Sequence, residues 1–480
     1  MNRRMIFYTV GRIITLEAGL LLLPMAVALW YGESCAWDLL ASAAIALVVG
    51  RAMTRLSKPT SQTFFAREGF VIVALAWVLM SLIGMLPFLF SGEIPFWVDA
   101  FFETVSGFTT TGASILTNVE AMSHGLLFWR SFTHWIGGMG VLVLIMAIVP
   151  TETGRSIHIM RAEMPGPIVG KLMPRIKDTA QILYLMYVVL TVVQIVLLMA
   201  GGMPPFESVT HAMATAGTGG FSVKADCFTS YSPYLQWVTA IFMTLFGVNF
   251  NVYYLALRKK LKEILRSTEL WAYLGIILVS IVLVSISIST EYDTLEEIIR
   301  QSAFQVTSII TTTGYASTNF DLWPELAKNV LLILMFLGAC AGSTGGGLKV
   351  SRAILLVKMA RREMKRMIHP RSVGTVQFEG KRVSDATLNS VCMYFVLYVI
   401  ILVVLTLFLC INPFSIETNL AAAASCFNNI GPGFGVAGPA SNYSYYNAIS
   451  KFVLTIAMLF GRLEIYPMLL ALSPSTWTKE

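Results

Sequence analysis

Charge is what this chain has least of: only 13% of its 480 residues are Asp, Glu, Lys or Arg, against 56% that are hydrophobic. With a mean hydropathy of +0.70, that balance excludes an ordinary soluble protein of this size and leaves a polytopic membrane protein. Cysteine is sparse and scattered. Cys35, Cys227, Cys340, Cys392, Cys410 and Cys426 form no CxxC pair, which argues against a zinc site and against a disulfide framework. Asp, His and Ser side chains do not converge at helical spacing within the apolar runs, so an intramembrane enzyme would lack its catalytic groups. A net charge of +7 invites a nucleic-acid reading, but the basic residues fall in short loops between apolar stretches, where they set topology.

What the chain does have is long apolar runs. A helical crossing needs about 20 predominantly apolar residues, which predicts an all-α protein of about ten spans. These lie at roughly 11–32, 36–55, 69–90, 126–149, 180–201, 234–257, 271–290, 326–357, 388–411 and 447–471. Arg3 and Arg4 ahead of the first run imitate a signal peptide, but Ile13 to Tyr31 is long enough to span and no small-residue cleavage pattern follows. With the N-terminus inside, the loops at about 51–68, 150–179, 258–270 and 358–387 are cytoplasmic. They hold Arg51, Arg55, Lys58 and Arg67, then Arg155, Arg161, Lys171, Arg175 and Lys177, then Arg258, Lys259, Lys260, Lys262 and Arg266, and a dense cluster from Lys358 to Arg382. The outer segments carry only Arg130, Lys224, Arg300, Lys328 and Lys451, an asymmetry that predicts both termini inside.

Between spans stand strings too polar and too rich in Thr and Gly for a membrane helix. Ile310-Thr311-Thr312-Thr313-Gly314-Tyr315 is the clearest; the others are Thr109-Thr110-Thr111-Gly112, Gly217-Thr218-Gly219-Gly220 and, more loosely, Asn428-Asn429-Ile430-Gly431. Each follows an amphipathic stretch too short to cross, such as Phe96 to Phe108, and the glycines recur about every hundred residues. This divides the chain into pore repeats at 69–150, 180–258, 271–358 and 388–472, with 1–60 as two extra spans outside the repeat.

Non-helical backbone inside the hydrocarbon layer is tolerated only where protein buries it or water lines it. Four re-entrant loops converging on one axis satisfy both conditions. Glycine opens backbone conformations that let carbonyls face that axis, and rings of carbonyls replace the hydration shell of a cation. The short helices would direct their partially negative C-terminal ends to the same place. The cation-binding residues expected on this reading are Thr110, Thr111, Gly112, Thr218, Gly219, Gly220, Thr312, Thr313, Gly314, Asn429, Ile430 and Gly431.

These strings, with His134-Trp135-Ile136-Gly137-Gly138-Met139-Gly140 and Ala341-Gly342-Ser343-Thr344-Gly345-Gly346-Gly347-Leu348-Lys349, resemble the Trk/Ktr/HKT-type potassium transporters, most closely the membrane subunit of the bacterial Trk system. The resemblance covers essentially the whole chain. It implies a pseudo-fourfold pore for potassium in the inner or plasma membrane, assembly as a homodimer and control by a cytoplasmic nucleotide-binding (TrkA-like) ring. Nucleotide is then expected only on that separate subunit, and no covalently bound cofactor on this one. In plant members a serine in place of the first filter glycine favours sodium; this chain has Gly112 there. A sodium-conducting or sodium- or proton-coupled relative remains the alternative reading.

Five glycines between Gly338 and Gly347 should unwind the eighth span, since each costs roughly 1 kcal/mol against alanine in a helix. In the family the matching segment obstructs the pore below the filter, which makes Gly342, Ser343, Thr344, Gly345, Gly346, Gly347 and Lys349 the expected gate. It is not a phosphate loop, because no Gly-Lys-Ser/Thr ending occurs. Arg462 in the last span either snorkels to the inner surface or faces the pore and bonds the gate carbonyls; the second reading is preferred. Gly433 to Gly438 match GxGxxG but should be the exit of the fourth loop. His134 and His211 are expected to be packed, hydrogen-bonded residues. Glu103 and Asp99 could draw cations to the mouth, with helix capping an equal alternative for Asp99.

Overall fold

The computed structural model describes residues 2–59, 66–140, 176–372 and 374–477. Its ordered elements are helical except for one hairpin, Gln377–Phe378 paired antiparallel with Lys381–Arg382. Six helices among the described residues are long and apolar enough to cross a membrane unaided: Arg3–Tyr31, Cys35–Leu56, Arg67–Phe90, Ala180–Ala200, Thr268–Ser287 and Asp385–Leu409. Their exposed faces are aliphatic, as Leu278, Val279, Val282 and Ile286 are on Thr268–Ser287, which suits contact with hydrocarbon.

The other four expected spans take a different form. Pro233–Phe246 and Phe250–Leu257 are bent by 89°, and Ala448–Arg462 and Tyr466–Leu472 by 119°. The expected span 326–357 is two helices, Glu325–Leu337 and Val350–Ile368, separated by residues 338–349. The expected span 126–149 is described as His124–Gly138; residues 141–149 lie outside the described residues, as do Arg155, Arg161, Lys171 and Arg175. Hydropathy foresees only the glycine-rich break, because the other two are marked only by isolated residues, Gly247 and Asn249 at one and Arg462 and Glu464 at the other, within otherwise apolar runs. At the first bend Asn249 starts a new helix by accepting from the Asn251 N–H. At the second, Glu464 and Ile465 take φ of 55° and 68°, a left-handed conformation that costs a residue with a side chain about 1–2 kcal/mol.

Between the spans lie four short helices, Trp97–Phe108, Pro205–Gly217, Leu295–Ile310 and Ile416–Asn428. Their starts are set locally: Thr294 and Ser415 accept from the backbone of Glu297 and Thr418, and a proline opens the second. They are far more enclosed than an amphipathic pattern suggests; every residue from Ala100 to Phe108 is buried. Several of their hydroxyls are satisfied within the helix, Thr104 donating to the Ala100 carbonyl and Thr307 to the Ala303 carbonyl, each at 2.7 Å. The middle of the protein is therefore helical but polar.

The basic stretch beyond Val350–Ile368 folds back as the hairpin. Val376, Phe378 and Val383 pack on Leu355, Met359 and Leu388, while the Lys358 ammonium donates to the Gln377 carbonyl at 2.8 Å. At the hairpin tip Glu379 accepts from the Ser267 hydroxyl at 3.1 Å and the Glu269 N–H at 3.0 Å, capping Thr268–Ser287.

Candidate functional site

All four Thr-Gly strings leave the C-terminal end of a short helix and take the same backbone path. Two residues before each aligned glycine the chain turns left-handed: Thr110 at φ 55°, Thr218 at 54°, Thr312 at 59° and Asn429 at 57°. The glycines follow at positive φ, 76° for Gly112, 77° for Gly220, 80° for Gly314 and 103° for Gly431. Left-handed Thr is uncommon, and three of them in register with one Asn mark a shared conformation that the surroundings enforce.

The loops close on each other. A side chain on Gly112 would overlap the carbonyl oxygen of Gly219, one on Gly220 that of Thr313, and one on Gly314 that of Ile430. On Gly431 it would come within 2.7 Å of the Thr111 oxygen. Each glycine thus abuts the carbonyl just before the glycine of the next loop, in the order first, second, third, fourth and back to first. Hydrogen bonds brace the same cycle. Arg130 reaches from the first unit to the Ser222 carbonyl at 3.4 Å and stacks its guanidinium 4.0 Å from the Phe221 ring. The Phe228 N–H donates to the Ala316 carbonyl at 2.9 Å, the Gly435 N–H to Asp321 at 3.2 Å, and the Tyr443 N–H to the Ser114 carbonyl at 2.9 Å.

Behind the ring, a different residue braces each loop. Glu103 accepts from Ser114 at 3.0 Å, from the Ile115 N–H at 3.0 Å and from Arg130, 2.6 Å away. At the aligned position His211 meets Ser222 at 3.1 Å, Gln305 meets Ser317 at 3.3 Å, and Ala422 lies against Gly433. Glu103 is 1% exposed and holds a loop, so it does not draw cations to a mouth; Asp99 is paired with Lys451 at 2.8 Å. His134 is fully buried against Phe221, and His211 is hydrogen-bonded at both ring nitrogens. Gly435–Ala437 is a single 3-10 turn at the exit of the fourth loop.

On one side the four glycines line a cavity of about 150 Å³ together with Ser114, Ser222, Arg130 and Asn442. On the other side a second cavity of about 20 Å³ is lined by Gly138, Gly342, Gly345, Gly346, Gly461, Arg462 and Glu464. Residues 338–349 fill the space there, and they are held rather than loose. The Cys340 N–H donates to the Gly247 carbonyl at 3.1 Å, the Ala341 N–H to Glu269 at 2.7 Å, and the Gly346 N–H to the Thr312 hydroxyl at 2.8 Å. The Thr344 hydroxyl donates to the Phe246 carbonyl at 3.3 Å, and the Ser343 hydroxyl to the Cys340 carbonyl at 2.7 Å. A side chain on Gly345 would sit 3.0 Å from the Thr311 oxygen, and one on Gly346 2.6 Å from the Asn428 oxygen. The segment therefore lies directly under the third and fourth loops.

Arg462 faces the protein interior. It donates to the Thr344 carbonyl at 2.8 Å, to the Gly138 carbonyl at 2.7 Å and to the Gly137 carbonyl. It ends its helix at the bend instead of sitting within a continuous span. Lys349 pairs with Glu464 at 2.7 Å, and Arg352 pairs with the other oxygen of that carboxylate. Sequence reading missed Glu464 and Glu269. The available signal was an acid inside the last hydrophobic run and one at the edge of the seventh, which in a membrane protein call for partners.

The TrkH family of cation transport proteins matches residues 39–286 and 274–479. The Trk system potassium uptake protein TrkH of Salmonella typhimurium is 36% identical over 99% of this chain and its own full length. That of Escherichia coli K12 is 35% identical over the same shares. The crystal structure of the potassium transporter TrkH from Vibrio parahaemolyticus superposes with a TM-score of 0.90 over all of both chains, at 32% identity. These relatives are named as transport proteins, and the architecture they share with this chain is that of a helical membrane transporter. The chain belongs to the TrkH family.

Proposed function

We propose that this chain takes up potassium across the cell membrane, as the membrane subunit of a Trk-type system. Its selectivity filter is the ring of Thr110 to Gly112, Thr218 to Gly220, Thr312 to Gly314 and Asn429 to Gly431. The observation that carries this reading is the closed cycle in which each glycine abuts a carbonyl of the next loop. Such a ring offers oxygens from four directions to a dehydrated cation, and the four short helices end on it with their negative dipole ends. The repeats at 69–150, 180–258, 271–358 and 388–472 each supply one quarter.

The wide cavity is then the outer vestibule and residues 338–349 the gate on the cytoplasmic side, with both termini inside. Arg462 places its charge beneath the filter and repels cations while the gate is held. The helix Val350–Ile368 and the hairpin carry the basic face on which a cytoplasmic nucleotide-binding ring would dock, and the working assembly is a homodimer. Support for the regulator comes from the physical link between that face and the gate, since Val350–Ile368 begins directly after Lys349.

The reading is tested by reconstituting the purified chain in liposomes and measuring potassium and sodium flux. Potassium flux that exceeds sodium flux and does not require a proton gradient supports a filter-limited pore. Equal flux of the two ions would place the chain with sodium-conducting relatives, and no flux at all would remove the reading.

A further inference from the structure

The two N-terminal spans take no part in the ring, yet the first carries an acid at its middle. Glu17 is 1% exposed, and neither of its carboxyl oxygens has a hydrogen-bond partner among the described residues. It points at the first unit of the ring: a side chain added to Gly84 would meet Glu17 Oε1 at 3.3 Å, and also Phe108 at 2.8 Å and Thr104 at 3.0 Å. Phe108 and Thr104 belong to the short helix that delivers the first loop. An ionisable group inside a membrane protein is by default a functional candidate.

Among the described residues, the charged groups on the helices packed around it lie at helix ends or are paired elsewhere. On its own span Arg12 is exposed, and Tyr31 is at the far end. On Cys35–Leu56, packed closely against it, Cys35 and Asp38 occupy the first turn, Arg55 the last and Arg51 the turn before it. On the third span Arg67 and Glu68 are at the start. On the first short helix Asp99 and Glu103 are taken by Lys451 and Arg130.

The third span connects this acid to the gate. Trp77, Ser81 and Gly84 fall on one face of the helix Ala66–Gly84, since residues four and seven apart are neighbours. Gly84 meets Glu17, and Trp77 lies under the Arg462 guanidinium, 5.8 Å from ring centroid to Cζ. The indole N–H of Trp77 is buried and has no hydrogen-bond partner among the described residues. The separation of Gly84 and Trp77 along the helix is two turns, about 11 Å.

We propose that Glu17 is a proton-binding site that biases the gate. Protonated, it leaves Arg462 on the Thr344 carbonyl and the segment 338–349 held. Ionisation releases one proton to water and leaves one negative charge, which draws the guanidinium toward the third span and weakens its hold on the segment. This rests on the gate proposed above and adds a regulator intrinsic to the chain.

The test uses the full-length protein in liposomes, with Glu17→Gln and Glu17→Asp beside wild type. Potassium flux is followed from about pH 5 to about pH 9, and infrared difference spectra of the same samples record the protonated-carboxyl band. Wild-type flux should rise at least about fivefold with pH. Glu17→Gln should stay at the low-pH level throughout and lack one carboxylic-acid band, whereas Glu17→Asp should restore the rise with a shifted midpoint. A Glu17→Gln profile that follows wild type, or a wild-type profile that is flat, overturns the proposal. The infrared band does not depend on transport, so wild type and Glu17→Gln sharing the same carboxylic-acid bands while flux is intact condemns the proton site, and absent wild-type flux with the Glu17-dependent band present condemns the transport reading instead.

Discussion

The backbone N–H of Gly346 donates to the hydroxyl of Thr312 at 2.8 Å, tying the segment that closes one side of the ring to the ring itself. Thr312 is fully buried, so the N–H loses its protein partner if that oxygen is lost. Replacing Thr312 with Val keeps the shape and removes the acceptor, and an orphaned buried donor costs about 1–3 kcal/mol. On the proposed gating, the closed form should lose that much relative to an open one. Basal potassium flux in liposomes should rise by about tenfold; unchanged flux would mean that the contact does not hold the gate.

Arg462 makes its bonds to Thr344, Gly137 and Gly138 through one guanidinium. Glutamine cannot reach all three, and it removes the charge below the ring. Arg462→Gln should raise basal flux while leaving the protein assembled, as size-exclusion chromatography would verify. Shortening the segment by deleting Gly345, Gly346 and Gly347 should act in the same direction and more strongly, because it removes the residues that lie under the third and fourth loops.

The pair Glu103 and Arg130 is buried, with side chains 0% and 2% exposed. Removing one partner from such a pair is strongly destabilising, by about 3–5 kcal/mol, whereas replacing both with apolar residues costs much less. Arg130→Met should therefore lower thermal stability in detergent more than the double change Glu103→Leu with Arg130→Met. Here Glu103 also holds Ser114 and Ile115, so even a stable double variant should lose potassium selectivity. Additive losses in stability would show that the two residues act independently.

At the membrane edge Glu33 accepts from the backbone N–H groups of His124 and Gly125 at 2.7 and 2.9 Å, while Tyr31 stacks on the His124 ring. Partial burial raises its pKa, but the bonds from Gly125 and His124 outweigh that and hold it below the usual carboxylate value. A lowered folded pKa means stability that is present above the unfolded value and lost as pH falls through the folded one. Melting temperature should thus drop below about pH 4.5 in wild type and less so in Glu33→Gln. The N-terminal spans would be the first to detach, because Glu33 joins them to the helix His124–Gly138.

Much of this molecule can be read from its sequence, and the limits have physical causes. The Thr-Gly strings stand out because polar, glycine-rich sequence between apolar runs has few places to go in a membrane. Their alignment on Gly112, Gly220, Gly314 and Gly431 matches the residues that share positive φ in the fold. What could not be read is direction. Glu464 follows Arg462 by two residues, which on a continuous helix puts them on nearly opposite faces; only the 119° bend brings both to the cavity under the ring. The brace at Glu103 was hidden for a similar reason, since Arg130 lies far along the chain and hydropathy treats both as surface charge. The bend after Phe246 is marked only by Gly247 and Asn249 in an otherwise apolar run.

The most direct test of the ring as a filter is the potassium-to-sodium flux ratio of Gly314→Ala beside wild type in the same liposomes. Gly314 has φ 80°, and a methyl group there overlaps the carbonyl of Ile430, so the fourth loop must move away from the third. The ratio should fall by at least about tenfold in a variant that still assembles, because one carbonyl displaced from a bound cation forfeits much of its coordination. A Gly314→Ala protein with the wild-type ratio would contradict a filter built from these four loops.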